Sequence, residues 1–340
     1  MVSASPAKHQ RTQILVVGDG VIGLSAAYAL GQAGAECTIV GARNPGMASI
    51  AAAGLLLPNL EEIPASVRPF FSASLQAYPA FVEKLREYDA SLSLVQGVTD
   101  FTRGGGPFGV VNPTDGAIDN VRLVAALRSA VRDQSTHHML DDDPVVRVEL
   151  STNPLSVQTR SGIRIEADRI VLAAGAWAPM MAGLPRRIPV QPLKGQMLAL
   201  AASPLERPVI AEHVYLVPRR AETLVGATVE HAGFDLTIND DAIEALRRSA
   251  VEACPSLAGA AVSRTWAGTR PATPDMFPIL GPDPQDPRLI YACGHSKNGI
   301  LLTPATAHAI VAFALDSTPD VDLSALAITR FSADHVPSER

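Results

Sequence analysis

The sequence predicts an α/β protein in which a doubly wound nucleotide-binding sheet is joined to a mostly antiparallel β domain. Three observations carry this. Residues 14–44, ILVVGDGVIGLSAAYALGQAGAECTIVGARN, read as strand, glycine turn, helix and second strand. Residues 288–315 repeat the same logic with a strand, the turn GHSKNG and a helix. Between them, residues 188–229 are strand-rich, most clearly in KGQMLAL and VYLVP.

The first unit carries the most chemistry. Ile14 to Val17 suit a buried parallel strand, and the helical pattern runs from Val21 to Ala33. Gly18 permits the sharp bend, Gly20 lets backbone amides approach a pyrophosphate, and Gly23 lets helix and strand pack closely. The phosphates would then sit at the positive end of the helix. At the end of the second strand, Cys37 to Val40, an Asp or Glu usually takes the ribose hydroxyls. This chain has Gly41-Ala42-Arg43 there. An Arg without that acid suits a 2′-phosphate, so an NADP-binding oxidoreductase stands as an alternative on these residues alone.

The following elements are read in order. MASIAAAGLLLP, residues 47–58, has side chains small enough to bring backbone against a flat ligand, or to form a tight helix start capped by Ser49. Residues 66–88 have amphipathic spacing for one or two helices. Gly104-Gly105-Gly106-Pro107 and Asn112-Pro113-Thr114-Asp115-Gly116 break a strand-and-turn region. Asn120 to Asp133 reads as a helix, and a β-meander then closes on a strand Arg169 to Ala173 and a turn at Gly175. Asp240 to Ala253 is an amphipathic helix with aspartates at its positive end. WAGTRPATPDMFPILGP reads as a Pro-rich loop holding Arg270, and Ile300 to Leu315 as the last helix. No internal repeat is present.

Composition narrows the partners. A net charge of −6 and a pI near 5.8 give no basic footprint for nucleic acid or an anionic membrane, and no apolar run reaches spanning length. Cys37, Cys254 and Cys293 lie far apart, which fits a reducing, cytoplasmic setting with neither a disulfide framework nor a zinc site. The polar MVSASPAKHQRT lacks the pattern of a signal peptide and is expected to be a tail ending near Gln13. His137-His138 with Asp141-Asp142-Asp143 read as a solvated turn and not as a metal site, and Cys293 as an inert strand cysteine. Two helix starts near opposite ends of the chain suit one elongated ligand such as a flavin dinucleotide, with pyrophosphate on the first and the isoalloxazine's pyrimidine edge near the second.

GDGVIGLSAAYAL, SIAAAG, IVLAAGAWA, LKGQML, VYLVPR, LVGATVEHAGFD, WAGTRPATPD, PILGP and GHSKNGILLTPATA occur in that order. Together they resemble the D-amino-acid oxidase superfamily, most closely the glycine oxidases of thiamine biosynthesis, from Gln13 to about Phe313. The resemblance implies a Rossmann-like FAD-binding domain of the glutathione-reductase type with a mostly antiparallel β substrate domain. Residues 13–58, 117–180 and 262–330 would form the first, 59–116 and 181–261 the second, and 1–12 and 331–340 tails. It implies FAD as cofactor and oxidation of the C–N bond of a small amino acid or amine to an imine. Hydride would pass to flavin N5 and molecular oxygen would be the acceptor.

By the same resemblance the FAD contacts fall on Val21, Ile22, Ala48, Ser49, Ala53, Gly54 and Leu55, and on Val146 near the adenine. At the flavin ring they fall on His295, Ser296, Asn298, Gly299, Ile300 and Leu301, and the Gly175 turn joins the set. Arg270 would hold the substrate carboxylate, as a guanidinium fork does well; Tyr215, read from its strand-end position, suits either a hydroxyl contact to the same carboxylate or a core aromatic with its hydroxyl at the surface. Lys297 and the amides of Gly299 and Ile300 would stabilise negative charge developing on the flavin. The chain departs from the family at Lys297, where Arg is usual, at Gly41, which leaves FAD held less tightly or passes the role to Arg43 through a phosphate, and in a shorter segment between Val98 and Asp119. A non-catalytic member with weakened flavin binding is the other reading of these departures. The sequence leaves the oligomeric state open between monomer and homo-oligomer.

Overall fold

The computed structural model describes residues 9–58, 63–102 and 109–331. The first half runs β1 (His9–Val17), α1 (Val21–Gln32), β2 (Cys37–Val40), the single-turn α2 (Ala48–Ala51), β3 (Leu55–Leu56), α3 (Arg68–Leu85), β4 (Leu94–Asp100), β5 (Val110–Ile118) and α4 (Asn120–Asp133). It continues through β6 (His137–Leu140), β7 (Val145–Glu149), β8 (Leu155–Thr159), β9 (Arg164–Leu172), β10 (Gln191–Leu200), β11 (Val209–Ile210), β12 (Tyr215–Pro218) and β13 (Thr223–Gly226). α5 (Asp240–Ala253), β14 (Val262–Ala272), β15 (Ile279–Pro282), β16 (Leu289–Cys293) and α6 (Thr303–Ala314) follow, and single 3-10 turns at Ser324–Leu326 and Ile328–Arg330 come last.

Two sheets result. The first has the order β15-β16-β9-β1-β2-β6, and the β7–β8 hairpin joins it through β9. Its strands β16, β9, β1, β2 and β6 are parallel. The strand period of two divides β1 between two cores: Ile14 and Val16 pack with α1, α3, α4 and α6, whereas Leu15 and Val17 pack with β7, β8 and β9. The second sheet, β14-β10-β13-β12-β11-β4-β5-β3, is antiparallel except where β11 meets β4. α5 covers one side of it with Ile243, Leu246 and Ala250 against Leu198, Leu200, Leu216 and Val225. The expected α/β class, with one nucleotide-binding sheet and one mostly antiparallel sheet, holds.

Several local expectations change. The N-terminal tail gives way to strand at His9, because His9 to Thr12 find a ready parallel ladder on Arg164 to Ala167 and satisfy their backbone groups there. His137-His138 lie in β6, paired with Cys37 and Thr38, and not in a solvated turn; His137 Nε2 is 2.9 Å from the carbonyl oxygen of Ala27. Arg270 stands on β14 and not in a loop. β14 pairs with β10 from Ala272 opposite Gln191 to Val262 opposite Leu200, and Pro271 is tolerated because β14 is an edge strand. Residues 262–272 therefore lie in the second sheet, as does β3 from within 13–58. The last helix starts at Thr303, three residues later than expected, where Pro304 supplies the fixed φ favoured in a first turn. Gly104 to Pro107, part of the segment read as shortened, and residues 332–340 lie outside the described residues. Among the described residues no helix is long and apolar enough to cross a membrane.

Candidate active site

A cavity of about 830 Å³ is lined by residues of both sheets, taking in the Gly18 turn, the end of β2, Arg270 and Lys297. The turn is built on close contact. Gly18 has φ +118°, and a Cβ there would lie 2.3 Å from the Ala173 carbonyl oxygen. A Cβ on Gly23 would lie 1.9 Å from the Gly18 carbonyl oxygen, so Gly23 sits beneath the turn, off the cavity wall, and sets how near α1 approaches β1. Gly20, Val21 and Ile22 line the cavity at the start of α1. The Ser49 hydroxyl accepts the Val21 amide at 2.9 Å, so it caps α1 and not its own short helix.

The small-residue stretch is strapped down around this point. Asn120 Nδ2 donates to the carbonyls of Ser49 and Ile50 at 2.9 and 3.1 Å, and Trp266 Nε1 to that of Ala51 at 2.9 Å. Ala48, Ser49, Ala53, Gly54 and Leu55 line the cavity. Gly54, at φ +74°, would place a Cβ 1.9 Å from the Ile118 carbonyl oxygen. Arg219 donates to the carbonyls of Ala53 and Ile118 at 2.7 and 3.0 Å, and burial pushes its guanidinium below the usual range. Sequence reasoning missed Arg219. In PRR it cannot be told from the exposed Arg220 beside it.

The adenosine side carries an ion-pair cluster. Arg43 pairs with Asp141 at 2.8 Å and lies 3.7 Å from Asp142, and Arg128 and Arg132 also reach Asp141. Arg43 is thus already engaged by carboxylates of this chain, a competing demand on the guanidinium that the NADP reading assigns to a 2′-phosphate. Val146 and Gly175 line the cavity, and Gly175 at φ +55° opens the turn after β9.

On the C-terminal side, His295, Ser296, Lys297, Asn298, Gly299 and Ile300 line the cavity, whereas Leu301 turns away and its carbonyl accepts the Ser74 hydroxyl at 2.7 Å. The Tyr78 hydroxyl donates to the Ile300 carbonyl, so α3 pins this turn from behind. Gly299 and Ile300 belong to the turn that precedes α6, and among the described residues their amides have no acceptor. His295 Nε2 is 3.1 Å from Thr306 Oγ1, and burial pushes its imidazole down to about 3. The unfolded chain binds this proton at the ordinary value of 6.5. The neutral ring therefore contributes stability that is complete above about pH 6.5 and is lost as pH falls toward 3. Urea midpoints measured at about pH 7 and about pH 4 should fall less for His295→Gln than for the parent; equal falls would contradict a neutral buried ring.

The remaining wall is the second sheet. Arg270 is half-buried, and its Nη1 donates to the carbonyls of Lys194 and Thr228 at 3.3 and 3.2 Å. A Cβ on Gly195 would lie 2.4 Å from Nη1, so the absence of a side chain there makes the slot for the guanidinium. Tyr215 stands beside it: burial pushes its phenol up and the neighbouring Arg270 draws it back. The Tyr215 hydroxyl is 3.7 Å from Met197 Sδ. Lys297 is exposed at the cavity wall.

The model of the FAD dependent oxidoreductase family matches residues 13–98 and 92–313. The chain belongs to this family. Glycine oxidase of Pseudomonas putida is 37% identical over 210 residues, covering 60% of this chain and 57% of that protein. The bifunctional protein ThiO/ThiG of Trichormus variabilis is 33% identical over 365 residues, 94% of this chain and 55% of that protein. The crystal structure of glycine oxidase from Geobacillus kaustophilus superposes with TM-score 0.86 at 25% identity, over 95% of this chain and 99% of that one. The chain thus spans little more than half the length of the first two relatives. An FAD dependent oxidoreductase uses FAD, and the site fits it. Gly18 and Gly23 leave no room for side chains at the turn, and the 830 Å³ cavity lies in the range of about 300–1,000 Å³ usual for cofactor and ligand pockets. The family, the fold class and FAD stand as the sequence indicated. Among the described residues no group of three or more His, Cys, Asp and Glu could hold a metal, and Cys293 is buried with its thiol pushed up to about 12.

Proposed function

We propose that the protein oxidises the C–N bond of a small amino acid or amine to an imine, in the cytoplasm, with molecular oxygen as electron acceptor. Arg270 and Tyr215 carry this reading, because they stand on the second sheet in the wall of the same cavity that the Gly18 turn lines. Bound FAD would supply a two-electron acceptor for the hydride on the substrate's Cα. The first sheet, in this reading, is the FAD domain and the second the substrate domain.

The chain's own residues bind and orient. Arg270, anchored by two carbonyls through Nη1, offers the rest of its fork to a carboxylate, and the Tyr215 hydroxyl adds a second contact. Arg270 stands on β14 against β10, and Tyr215 on β12, which joins β10 through β13, so one sheet orients both side chains. Lys297 and the amides of Gly299 and Ile300 provide positive potential for negative charge at the flavin. His295 is committed to Thr306 and serves the frame. The substrate amine has to arrive neutral, since a protonated amine holds no lone pair to assist loss of hydride. Holoenzyme kept free of oxygen should lose its yellow flavin absorbance on addition of glycine, sarcosine or a D-amino acid. A spectrum unmoved by all of them would overturn the small-amino-acid reading.

A further inference from the structure

Gly41 occupies the position after β2 at which nucleotide-binding folds of this kind usually carry the acid for the adenosine ribose. A Cβ built on Gly41 would lie 2.3 Å from Cγ and 2.5 Å from Oδ2 of Asp19. The space where an acidic side chain at 41 would begin is thus filled by a carboxylate that comes from inside the glycine turn. An acid at 41 and the observed Asp19 rotamer exclude each other.

The Asp19 carboxylate is firmly held. Oδ2 is 2.5 Å from Arg128 Nη2, and Oδ1 accepts the Ala42 amide at 3.3 Å. Arg128 is steadied in turn by Asp141, 2.8 Å from its Nη1. Asp19 is only 3% exposed, yet it lines the cavity beside Val40, Ala42 and Arg43. A carboxylate so buried is costly unless paired, and Arg128 supplies the pair. Carboxylate oxygens offer about four acceptor sites, so the Arg128 and Ala42 donors leave capacity for further donors.

We propose that Asp19, braced by Arg128, accepts the adenosine ribose hydroxyls of bound FAD in place of an acid at position 41. The proposal rests on the FAD assignment above. It makes the missing acid and the extra acid in GDGVIG one feature: the anchor has moved from the end of β2 to the turn after β1. Arg128 is then a positioning residue, acting through Asp19.

The test titrates apoprotein with FAD and with FAD analogues lacking the adenosine 2′- or 3′-hydroxyl, read by flavin fluorescence. The parent protein should bind at least one deoxy analogue about ten- to a hundredfold more weakly than FAD, as expected for a lost hydrogen bond to a charged group. Asp19→Asn should bind FAD more weakly and lose most of that discrimination, and Gly41→Ala, whose new Cβ must displace the carboxylate, should blunt it too. A purely structural role for Asp19 would weaken FAD and the analogues alike and leave the ratio intact. Parent protein that binds both deoxy analogues as tightly as FAD overturns the proposal whether or not either variant folds. Parent protein that takes up no FAD overturns the cofactor assignment itself.

Discussion

Arg270→Ala is expected to lower kcat/KM for a carboxylate-bearing amine by about a thousandfold, mostly through KM, and to change a carboxylate-free amine of the same size by about threefold or less. Losing one partner of a desolvated charge pair costs about 2–5 kcal/mol, and a thousandfold is about 4 kcal/mol. The site favours the upper part of that range. Arg270 is held by the carbonyls of Lys194 and Thr228, so its fork is oriented before substrate arrives and little entropy is spent on ordering it. Steady-state kinetics on matched substrates, one with and one without the carboxylate, read the contrast directly. Arg270→Lys should recover only part of the loss, because an ammonium supplies charge without the fork. Equal losses for both substrates would mean that no carboxylate binds there.

Gly23→Ala is expected to destabilise the apoprotein by about 3 kcal/mol and to weaken FAD binding sharply, the upper end of what overpacking costs in a close-packed core. The added methyl would meet the Gly18 carbonyl oxygen at 1.9 Å and Val16 Cγ1 at 3.4 Å. Backbone cannot rotate out of the way as a side chain can, so α1 must lift from β1 and carry the amides of the turn with it. Gly34→Ala is the control. Gly34 has φ +83° but nothing within 4 Å of a built Cβ, so it should cost about 1 kcal/mol of backbone strain and leave FAD affinity unchanged. Urea unfolding of the apoproteins and flavin titration separate the two effects. A Gly23→Ala protein that binds FAD like the parent would contradict the packing account.

The elements legible in the sequence were those whose signal is local. Cys37–Val40, Asn120–Asp133 and Asp240–Ala253 lie where periodicity and caps put them, and the turn at Gly18 follows from glycine spacing alone. β14 was not legible, because TRPATP reads as a loop until its neighbour β10 and its edge position are known. The same holds for His9–Thr12 and His137–His138, polar runs that become strand only through ladders offered by residues far along the chain. At the site, motif residues such as Ser49, Gly54 and Gly299 could be named from resemblance. Arg219, Arg128 and the engagement of Asp19 could not, since each depends on a partner tens to more than a hundred residues away. Leu301, also named from resemblance, is not part of the cavity wall that runs from His295 to Ile300, and its carbonyl accepts the Ser74 hydroxyl.

The walls of the cavity are drawn from Val17 at one extreme and Ile300 at the other, and β9 is clasped between strands that begin at His9 and at Leu289. During synthesis the glycine turn leaves the ribosome early, and the last part of the cavity wall, His295 to Ile300, follows some 280 residues later. Cofactor loading must therefore follow translation of nearly the whole described chain. Because a ligand bound only by the native form adds to its stability, flavin stabilises only a chain whose cavity wall runs through to Ile300.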